Sequence, residues 1–269
     1  MNGDNPLVLV GCGKMGRALL EGWLDGGVVS PDAVIVVEPS PVDLPAGVRR
    51  VAAAGALAAD LQPGVIVLAV KPQAMDDVLP PYARFAGAGT VFLSIAAGRP
   101  IRYFETHLGA AAAIVRAMPN TPAAVGRGVT VLCANTQVAA SQRAFCGALL
   151  AAVGAVDWVD DEALMDAVTA VSGSGPAYVF LLAETLTQAG IAAGLPTELA
   201  AKLARHTVAG SGELLMQSDA PAATLRENVT SPGGTTAAAL AVLMADDGMS
   251  ALMTAAVDAA TRRSRELAG

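Results

Sequence analysis

The sequence predicts an α/β fold in which a doubly wound sheet in the first part of the chain is followed by an all-α domain. In the first part, short and fully apolar runs alternate with helical patterns, which is typical of parallel strands buried on both faces. After residue 160 the strand pattern ends, and long helical patterns broken by Gly, Pro and Ser take over. We therefore expect one domain over residues 1–160 and a helical domain over residues 161–269.

The individual elements follow from the same patterns. Strands are predicted at residues 7–10, 33–37, 65–70, 90–95, 113–118, 129–132 and 156–159, the last two as outer strands. A helix is predicted at residues 73–85. In the second domain, helices are predicted at residues 161–171, 176–193, 197–216, 221–229, 235–245 and 250–267.

Composition narrows the class of protein. With 54% hydrophobic and 15% charged residues, the chain buries a large core, and its low charge favours buried subunit contacts. A net charge of −7 without any basic stretch argues against a nucleic-acid partner. The longest apolar run, residues 144–156, falls short of the roughly 20 residues that a membrane span needs, so no membrane segment is expected.

Cysteine usage and the first residues indicate the compartment. Cys12, Cys133 and Cys146 form no CxxC pair and no metal-ligand cluster, and an odd count favours free thiols in a reducing compartment. Residues 1–6 carry Asp4 and no basic segment, unlike a secretion signal. We therefore expect a soluble, cytoplasmic protein without a bound metal.

A glycine-rich loop follows the first predicted strand. Gly11, Gly13 and Gly16 form G-x-G-x-x-G at the start of a helix, where backbone N–H groups and the helix dipole bind a pyrophosphate. The sequence therefore predicts a Rossmann-like, dinucleotide-binding domain, with Cys12, Lys14 and Met15 also at the cofactor. The alternative is a glycine turn that serves packing alone.

Glu38 ends the second predicted strand, at the distance from the glycine loop where an acid contacts the adenosine ribose. A carboxylate there accepts hydrogen bonds from the ribose hydroxyls and repels a 2′-phosphate, so Glu38 weakly favours NADH over NADPH. The alternative is a solvated loop acid.

Two further turns end predicted strands at the same edge, where ligands of such sheets bind. The first holds four candidate cofactor-binding residues, Ala69, Val70, Lys71 and Pro72. Lys71 reaches a phosphate or is merely solvated, and these two alternatives remain equal. The second turn contains Ala97, among small residues that leave room for a flat ring.

Several segments together resemble one known family. They are RAMPNTP at residues 116–122, DAVTAVSGSGPAY at 166–178 and LRENVTSPGGTT at 225–236, joined by the glycine loop and by VKPQ at 70–73. In this order, and over nearly the whole chain, they resemble pyrroline-5-carboxylate reductase. The motifs at residues 166–178 and 225–236 are highly specific.

The resemblance implies NAD(P)H-dependent reduction of 1-pyrroline-5-carboxylate to L-proline, and a helical domain that forms a homodimer and often a decamer. It places the substrate on a loop that includes Ser231, Gly233, Gly234, Thr235 and Thr236. It also implies that Thr236 bonds the ring nitrogen, that Asn228 contacts the cofactor and that Glu162 lies near the substrate. One departure is that the second strand ends in Glu38-Pro39-Ser40, where many members have a phosphate-friendly turn.

The chemistry agrees with the residue types. A cyclic imine arrives protonated, so the site must position the substrate more than it must supply a strong acid. A helix beginning at Thr235 or Thr236 offers N–H groups to the substrate carboxylate. Without the resemblance, Ser231 or Thr235 would be an ordinary N-cap.

Two other functions share part of this sequence pattern. β-Hydroxyacid dehydrogenases share the two-domain plan but use a Lys in G-x-x-x-K-x-x-x-N, whereas here Lys202 is followed four residues later by His206. A non-catalytic, nucleotide-sensing regulator would bind the cofactor without needing the loop at residues 231–236. Turnover of pyrroline-5-carboxylate discriminates among all three.

Overall fold

The computed structural model describes residues 5–87 and 89–268, and eight of its strands form a single sheet. The strands are β1 Leu7–Val10, β2 Val34–Val37, β3 Arg49–Val51, β4 Val65–Leu68, β5 Val91–Ser94, β6 Ala113–Met118, β7 Gly128–Ala134 and β8 Gly154–Trp158. Their order is β3-β2-β1-β4-β5-β6-β7-β8, and all neighbours are parallel except β6 and β7. Since the chain reverses its direction of travel between β1 and β4, the ligand-binding switch point lies there.

The sheet is buried on both faces, which explains its apolar runs. In β1, Leu7 and Leu9 point into one core cluster, whereas Val8 and Val10 point into the other. The first cluster is covered by α1 (Lys14–Asp25) and α4 (Ala140–Ala151). The second is covered by α3 (Ile101–Leu108) and by the segment that precedes β5. The resulting three layers confirm the predicted doubly wound α/β domain.

The structure differs from the prediction for the first domain at one helix and at one strand. The single helix at residues 73–85 is instead a 3-10 turn (Pro72–Ala74), the short α2 (Met75–Val78) and a second 3-10 turn (Pro80–Phe85). Pro80 and Pro81 cause this break, because neither has an N–H to donate. β3 was not predicted, because its three residues include two exposed arginines and form no apolar run.

The second part of the chain is helical, as predicted. After a 3-10 turn (Glu162–Leu164) come α5 (Met165–Val168) and a π-helical turn (Thr169–Gly173), where one regular helix was expected. The remaining helices are α6 Gly175–Ala192, α7 Thr197–Gln217, α8 Ala222–Asn228, α9 Thr235–Leu243 and α10 Met249–Ala268.

Contacts divide the chain into two compact units. The first extends to Gly173 and also takes in the stretch from Ala260 onward, and the second is Ser174–Ala259. The unit boundary thus lies after the domain boundary predicted at residue 160, which itself stays a prediction. Residues 1–4, for which we expect no secretion signal, lie outside the described part of the chain.

The second unit buries few side chains of its own. Of its residues, only Ala200 and Ala204 are buried, both on α7. Large apolar side chains such as Phe180 and Leu252 are about two-thirds exposed, at 67% and 68%. No helix in the described ranges combines the length and apolar character that crossing a membrane requires.

Candidate functional site

The loop between β1 and α1 is a tight turn that closely approaches the neighbouring strand end. Gly11 donates its N–H to the Val37 carbonyl at 2.9 Å and has a φ of +88°, which disfavours any side chain. A Cβ on Gly11 would lie 2.8 Å from Val70 Cγ1 and 2.9 Å from the Ala69 oxygen. The first glycine is therefore required by the fold.

The other two glycines of the loop have different structural roles. A Cβ on Gly16 would collide with the carbonyl oxygen of Gly11, so this glycine lets α1 pack against the loop. Gly13 has an ordinary φ of −71°, and a Cβ there would meet no atom within 4 Å. No side chain caps α1, whose first residues Lys14 and Met15 follow Gly13. The open surface at Gly13 therefore fits a phosphate approaching the helix N-terminus.

Glu38 lies at the end of β2 with its carboxylate held against the glycine loop. Its Oε2 accepts from the Cys12 N–H at 3.0 Å, and its Oε1 accepts from the Ser40 N–H at 3.2 Å. Arg50 Nη1 fixes the same turn by donating to the carbonyls of Glu38 and Ser40, each at 2.9 Å, and to that of Pro39 at 3.4 Å. The carboxylate is thus oriented by the backbone, unlike that of a freely solvated loop acid.

The turn after β4 lies beside the glycine loop. Ala69 donates its N–H to the Val10 carbonyl at 2.8 Å, which joins this turn to the end of β1. Ala69, Val70 and Pro72 are half-buried, and Lys71 is exposed. No ion pair within the described chain holds the Lys71 ammonium, so both alternatives for it stay open.

The turn after β5 is built from small residues. The Ala96 N–H donates to Ser94 Oγ at 3.2 Å, which leaves Ala97 exposed at the tip of the turn. Because β1, β2, β4 and β5 are parallel, the predicted cofactor residues of the first unit all lie at one edge of the sheet.

Glu162 occupies a structured position in the first unit. Its Oε1 accepts from Arg116 Nη1 and from the Ile101 N–H, both at 2.8 Å. The Arg116 side chain is only 6% exposed, and it enters from the middle of β6. Sequence reasoning did not single out Arg116, although an arginine inside an apolar strand run signals a buried charge that needs a partner.

The loop at residues 231–236 lies in the second unit and forms the start of α9. The Gly234 N–H donates to the Ser231 carbonyl at 3.0 Å, and Gly233 has a φ of +70°, which favours glycine. Gly234 is the N-cap of α9, and no side chain caps this helix. Neither Ser231 nor Thr235 is therefore an ordinary N-cap, and the first N–H groups of α9 remain available to a ligand.

The remaining predicted residues of the second unit lie close along the chain. Thr236 is in the first turn of α9 and is half-buried, whereas Thr235 is exposed. Asn228 is exposed at the C-terminal end of α8, just before the loop. Thr230 Oγ1 donates to the Arg226 carbonyl at 2.7 Å and fixes the end of α8.

Reactive side chains are few at these positions. The three cysteines are free and buried, and burial is the main cause that raises the pKa of Cys12, Cys133 and Cys146, the last to about 12. These thiols stay protonated near neutral pH, which excludes them as thiolate nucleophiles. Cys12, which lies in the glycine loop, is therefore suited to packing rather than to covalent catalysis.

Comparison with known proteins covers both units. A family model described as pyrroline-5-carboxylate reductase dimerisation matches residues 162–267, and one described as NADP oxidoreductase, coenzyme F420-dependent, matches residues 6–98. The chain is 42% identical to pyrroline-5-carboxylate reductase of Pseudomonas aeruginosa, covering 97% of this chain and 96% of that protein. It is 43% identical to that of Synechocystis, covering 97% of each.

Solved structures agree with these relatives. A pyrroline-5-carboxylate reductase from Coxiella burnetii superposes with a TM-score of 0.90 at 34% identity, covering 99% of each chain. A Plasmodium falciparum pyrroline carboxylate reductase, solved with NADP bound, superposes with a TM-score of 0.84 at 32% identity, also covering 99% of each chain.

Proposed function

Because this chain belongs to the pyrroline-5-carboxylate reductase family, we propose that it reduces 1-pyrroline-5-carboxylate to L-proline with NAD(P)H, the last step of proline biosynthesis. The observation that carries the proposal is a likeness above 40% identity that runs through both units. It favours this reaction over β-hydroxyacid oxidation and over a purely sensing role.

The first unit would hold the cofactor. The backbone of residues 11–16 would bind the pyrophosphate at the start of α1, and the open surface at Gly13 supports this assignment. Residues 69–72 and Ala97 would line the nicotinamide half, and Asn228 of the second unit would add a contact. When bound, reduced nicotinamide supplies a hydride to the imine carbon. Lys71 would contribute to this turn through its backbone, and its ammonium would lie either at a phosphate or in solvent.

The loop at residues 231–236 would hold the substrate. The uncapped N–H groups at the start of α9 suit the substrate carboxylate, and the open space at Gly233, where a Cβ would meet no atom within 4 Å, leaves room for it. The Thr236 hydroxyl would accept the N–H of the protonated ring nitrogen and orient the imine. Ser231 and Thr235 complete the loop. Glu162 would lie near the substrate, its Oε1 already committed to Arg116.

Glu38 would set the preference for NADH. Its carboxylate is oriented by two backbone N–H groups, so it can accept from the ribose hydroxyls and repel a 2′-phosphate. Replacing Glu38 by Ser should raise the ratio of kcat/KM with NADPH to kcat/KM with NADH about tenfold. The reason is that NADH loses a charge-assisted hydrogen bond to its ribose. The matched control is Asp43→Ser, because Asp43 is an exposed acid five residues further along the chain. An unchanged cofactor ratio in Glu38→Ser would contradict the preference.

The proposal extends to assembly and location. The chain would form a homodimer through its helical domain, residues 161–269, and dimers would assemble into a decamer. The exposed apolar side chains of the second unit support such an interface. The dinucleotide-binding domain would be residues 1–160, and the enzyme would be cytoplasmic, with no nucleic-acid partner.

One assay tests the reaction. Purified protein is mixed with pyrroline-5-carboxylate and either NADH or NADPH, and loss of reduced nicotinamide absorbance and formation of proline are followed together. We expect one proline for each cofactor oxidised. Cofactor binding without turnover would favour a sensing role, and no turnover with either cofactor would reject the proposal.

A further inference from the structure

Arg99 joins two turns that the proposed function gives to the cofactor. It lies just after the β5 turn that contains Ala97, and its Nε and Nη2 both donate to the Pro72 carbonyl, at 3.2 and 3.1 Å. Pro72 belongs to the turn after β4. A planar guanidinium can place two N–H groups on one oxygen, whereas a lysine ammonium offers no such fixed fork.

Further contacts hold the Arg99 side chain in place. Its Cζ lies 4.5 Å from the centroid of the Tyr103 ring, and its Nη2 lies 3.6 Å from Asp76 Oδ2. The Tyr103 hydroxyl donates to Asp76 Oδ1 at 2.6 Å. Burial, followed by the Asp76 carboxylate, raises the pKa of Tyr103 to about 12, so the hydroxyl remains a donor at neutral pH.

The two partners of Arg99 come from different elements. Asp76 lies in α2, directly after the β4 turn, and Tyr103 lies in α3, directly after the β5 turn. The Arg99 side chain is 26% exposed, so water screens its interactions only in part. Its guanidinium therefore fixes the spacing between the two turns and is not merely a solvated surface group.

We infer that Arg99 is a positioning residue for the nicotinamide cofactor, because it holds the turn at residues 69–72 at a fixed spacing from the turn at Ala97. This inference rests on the proposed function, since it takes these turns as cofactor-binding. It assigns Arg99 no contact with the reacting atoms. Loss of Arg99 would weaken the binding of NADH and of NADPH alike. The reason is that Glu38, which would distinguish the two cofactors at the adenosine ribose, is held by separate contacts.

The test compares Arg99→Met with Arg84→Met. Arg84 is a matched control, since it too donates to backbone carbonyls, from its Nη2 to those of Leu57 and Ala58, and its Cζ also lies 4.5 Å from an aromatic ring centroid. Those carbonyls belong to no proposed cofactor turn. Dissociation constants for NADH and NADPH are measured by nicotinamide fluorescence, and kcat and KM are measured at saturating cofactor.

For Arg99→Met we expect both dissociation constants to rise about tenfold, as loss of charge-assisted hydrogen bonds predicts. The ratio of the NADPH dissociation constant to the NADH dissociation constant should stay within about twofold of wild type. The same holds for kcat and for the KM for pyrroline-5-carboxylate. Arg99→Lys should recover part of the loss, and it carries the test if Arg99→Met does not fold. Arg84→Met should bind both cofactors like wild type.

The outcomes separate this inference from the function on which it rests. Wild-type cofactor affinity in Arg99→Met, or an equal loss in Arg84→Met, would overturn the role of Arg99 and leave the reaction standing. A change in the ratio of the NADPH and NADH dissociation constants would also overturn the role of Arg99. Wild-type protein that binds neither cofactor would reject the proposed function itself.

Discussion

Among single residues, Thr236 carries the most direct part of the proposed chemistry. It is half-buried in the first turn of α9, and that helix has no side-chain cap. We expect Thr236→Ala to lower kcat about tenfold, because one hydrogen bond to the charged ring nitrogen is lost. Thr236→Ser should restore most of the rate, and cofactor affinity should not change. Steady-state kinetics with NADH titration measures all three, and wild-type turnover in Thr236→Ala would refute the role.

Glu162 makes a different contribution, to stability. Its carboxylate neutralises Arg116, whose side chain is 6% exposed. We expect Glu162→Ala to lower the free energy of unfolding by about 3 kcal/mol, because an unpaired charge is left buried. Glu21→Ala, which breaks the exposed pair with Arg17 at 2.9 Å, should cost less than about 1 kcal/mol. Urea denaturation compares the two, and equal losses would show that the Arg116 charge is not isolated from water.

The sequence is enough to select candidate residues, but it does not predict their hydrogen-bond partners. The position of Glu38 after an apolar run was enough to select it, but its bonds to the Cys12 and Ser40 N–H groups depend on how the turn folds. Arg116 and Arg99 were not selected, because the Glu162 carboxylate and the Pro72 carbonyl to which they donate lie 46 and 27 residues away along the chain. Such pairs form only in the tertiary structure, and a local sequence pattern does not show which distant residues meet there.

The loop between β1 and α1 allows a test at the scale of an element. Gly13→Ala places a methyl group in open space, whereas Gly16→Ala places one against the Gly11 carbonyl. We expect Gly13→Ala to keep the wild-type melting temperature and to weaken NADH binding about tenfold, because the methyl group occupies the path of the phosphates. Gly16→Ala should lose both stability and binding.

Thermal unfolding and NADH fluorescence titration of the two glycine variants give the answer. If Gly13→Ala binds NADH as tightly as wild type, the glycine loop serves packing alone. That outcome would restore the alternative considered from the sequence, while leaving the fold unaffected.

Elements were predictable where burial on both faces produced an uninterrupted apolar run. β1, β4 and β5 are of this kind, and each was predicted to within two residues at either end. The segment at residues 73–85 was mistaken for one helix, because its apolar spacing is helical although Pro80 and Pro81 break the backbone bonding. The π-helical turn at Thr169–Gly173 has no pattern of its own that distinguishes it from an α-helix.

At the scale of the whole molecule, the match to a dimerisation family model and the exposed apolar side chains of the second unit support oligomerisation. A groove of about 800 Å³ on this unit is lined by apolar side chains that include Val179, Leu182, Val242 and Leu252. We expect light scattering after size exclusion to give a mass at least twice the 26.9 kDa of one chain. Leu252→Glu should shift the protein toward monomer, because it places a charge on the apolar face.

Val125→Glu is the control for the dimer. Val125 is 76% exposed and belongs to the first unit, whereas Leu252 belongs to the second. Its substitution should leave the mass unchanged. Dissociation by Val125→Glu but not by Leu252→Glu would move the interface to the first unit and contradict the helical dimer.

The return of the chain to the first unit after Ala260 has a consequence for how the protein is made. Ser264 Oγ donates to Asp166 Oδ1 at 2.7 Å, and Arg265 Nε lies 3.8 Å from Asp166 Oδ2. During translation, the ribosome releases the strands of the sheet first, but these bonds cannot form until the whole second unit has been synthesised. The first unit is therefore begun early in translation and completed late, and nascent chains stopped before Ala260 carry it unfinished.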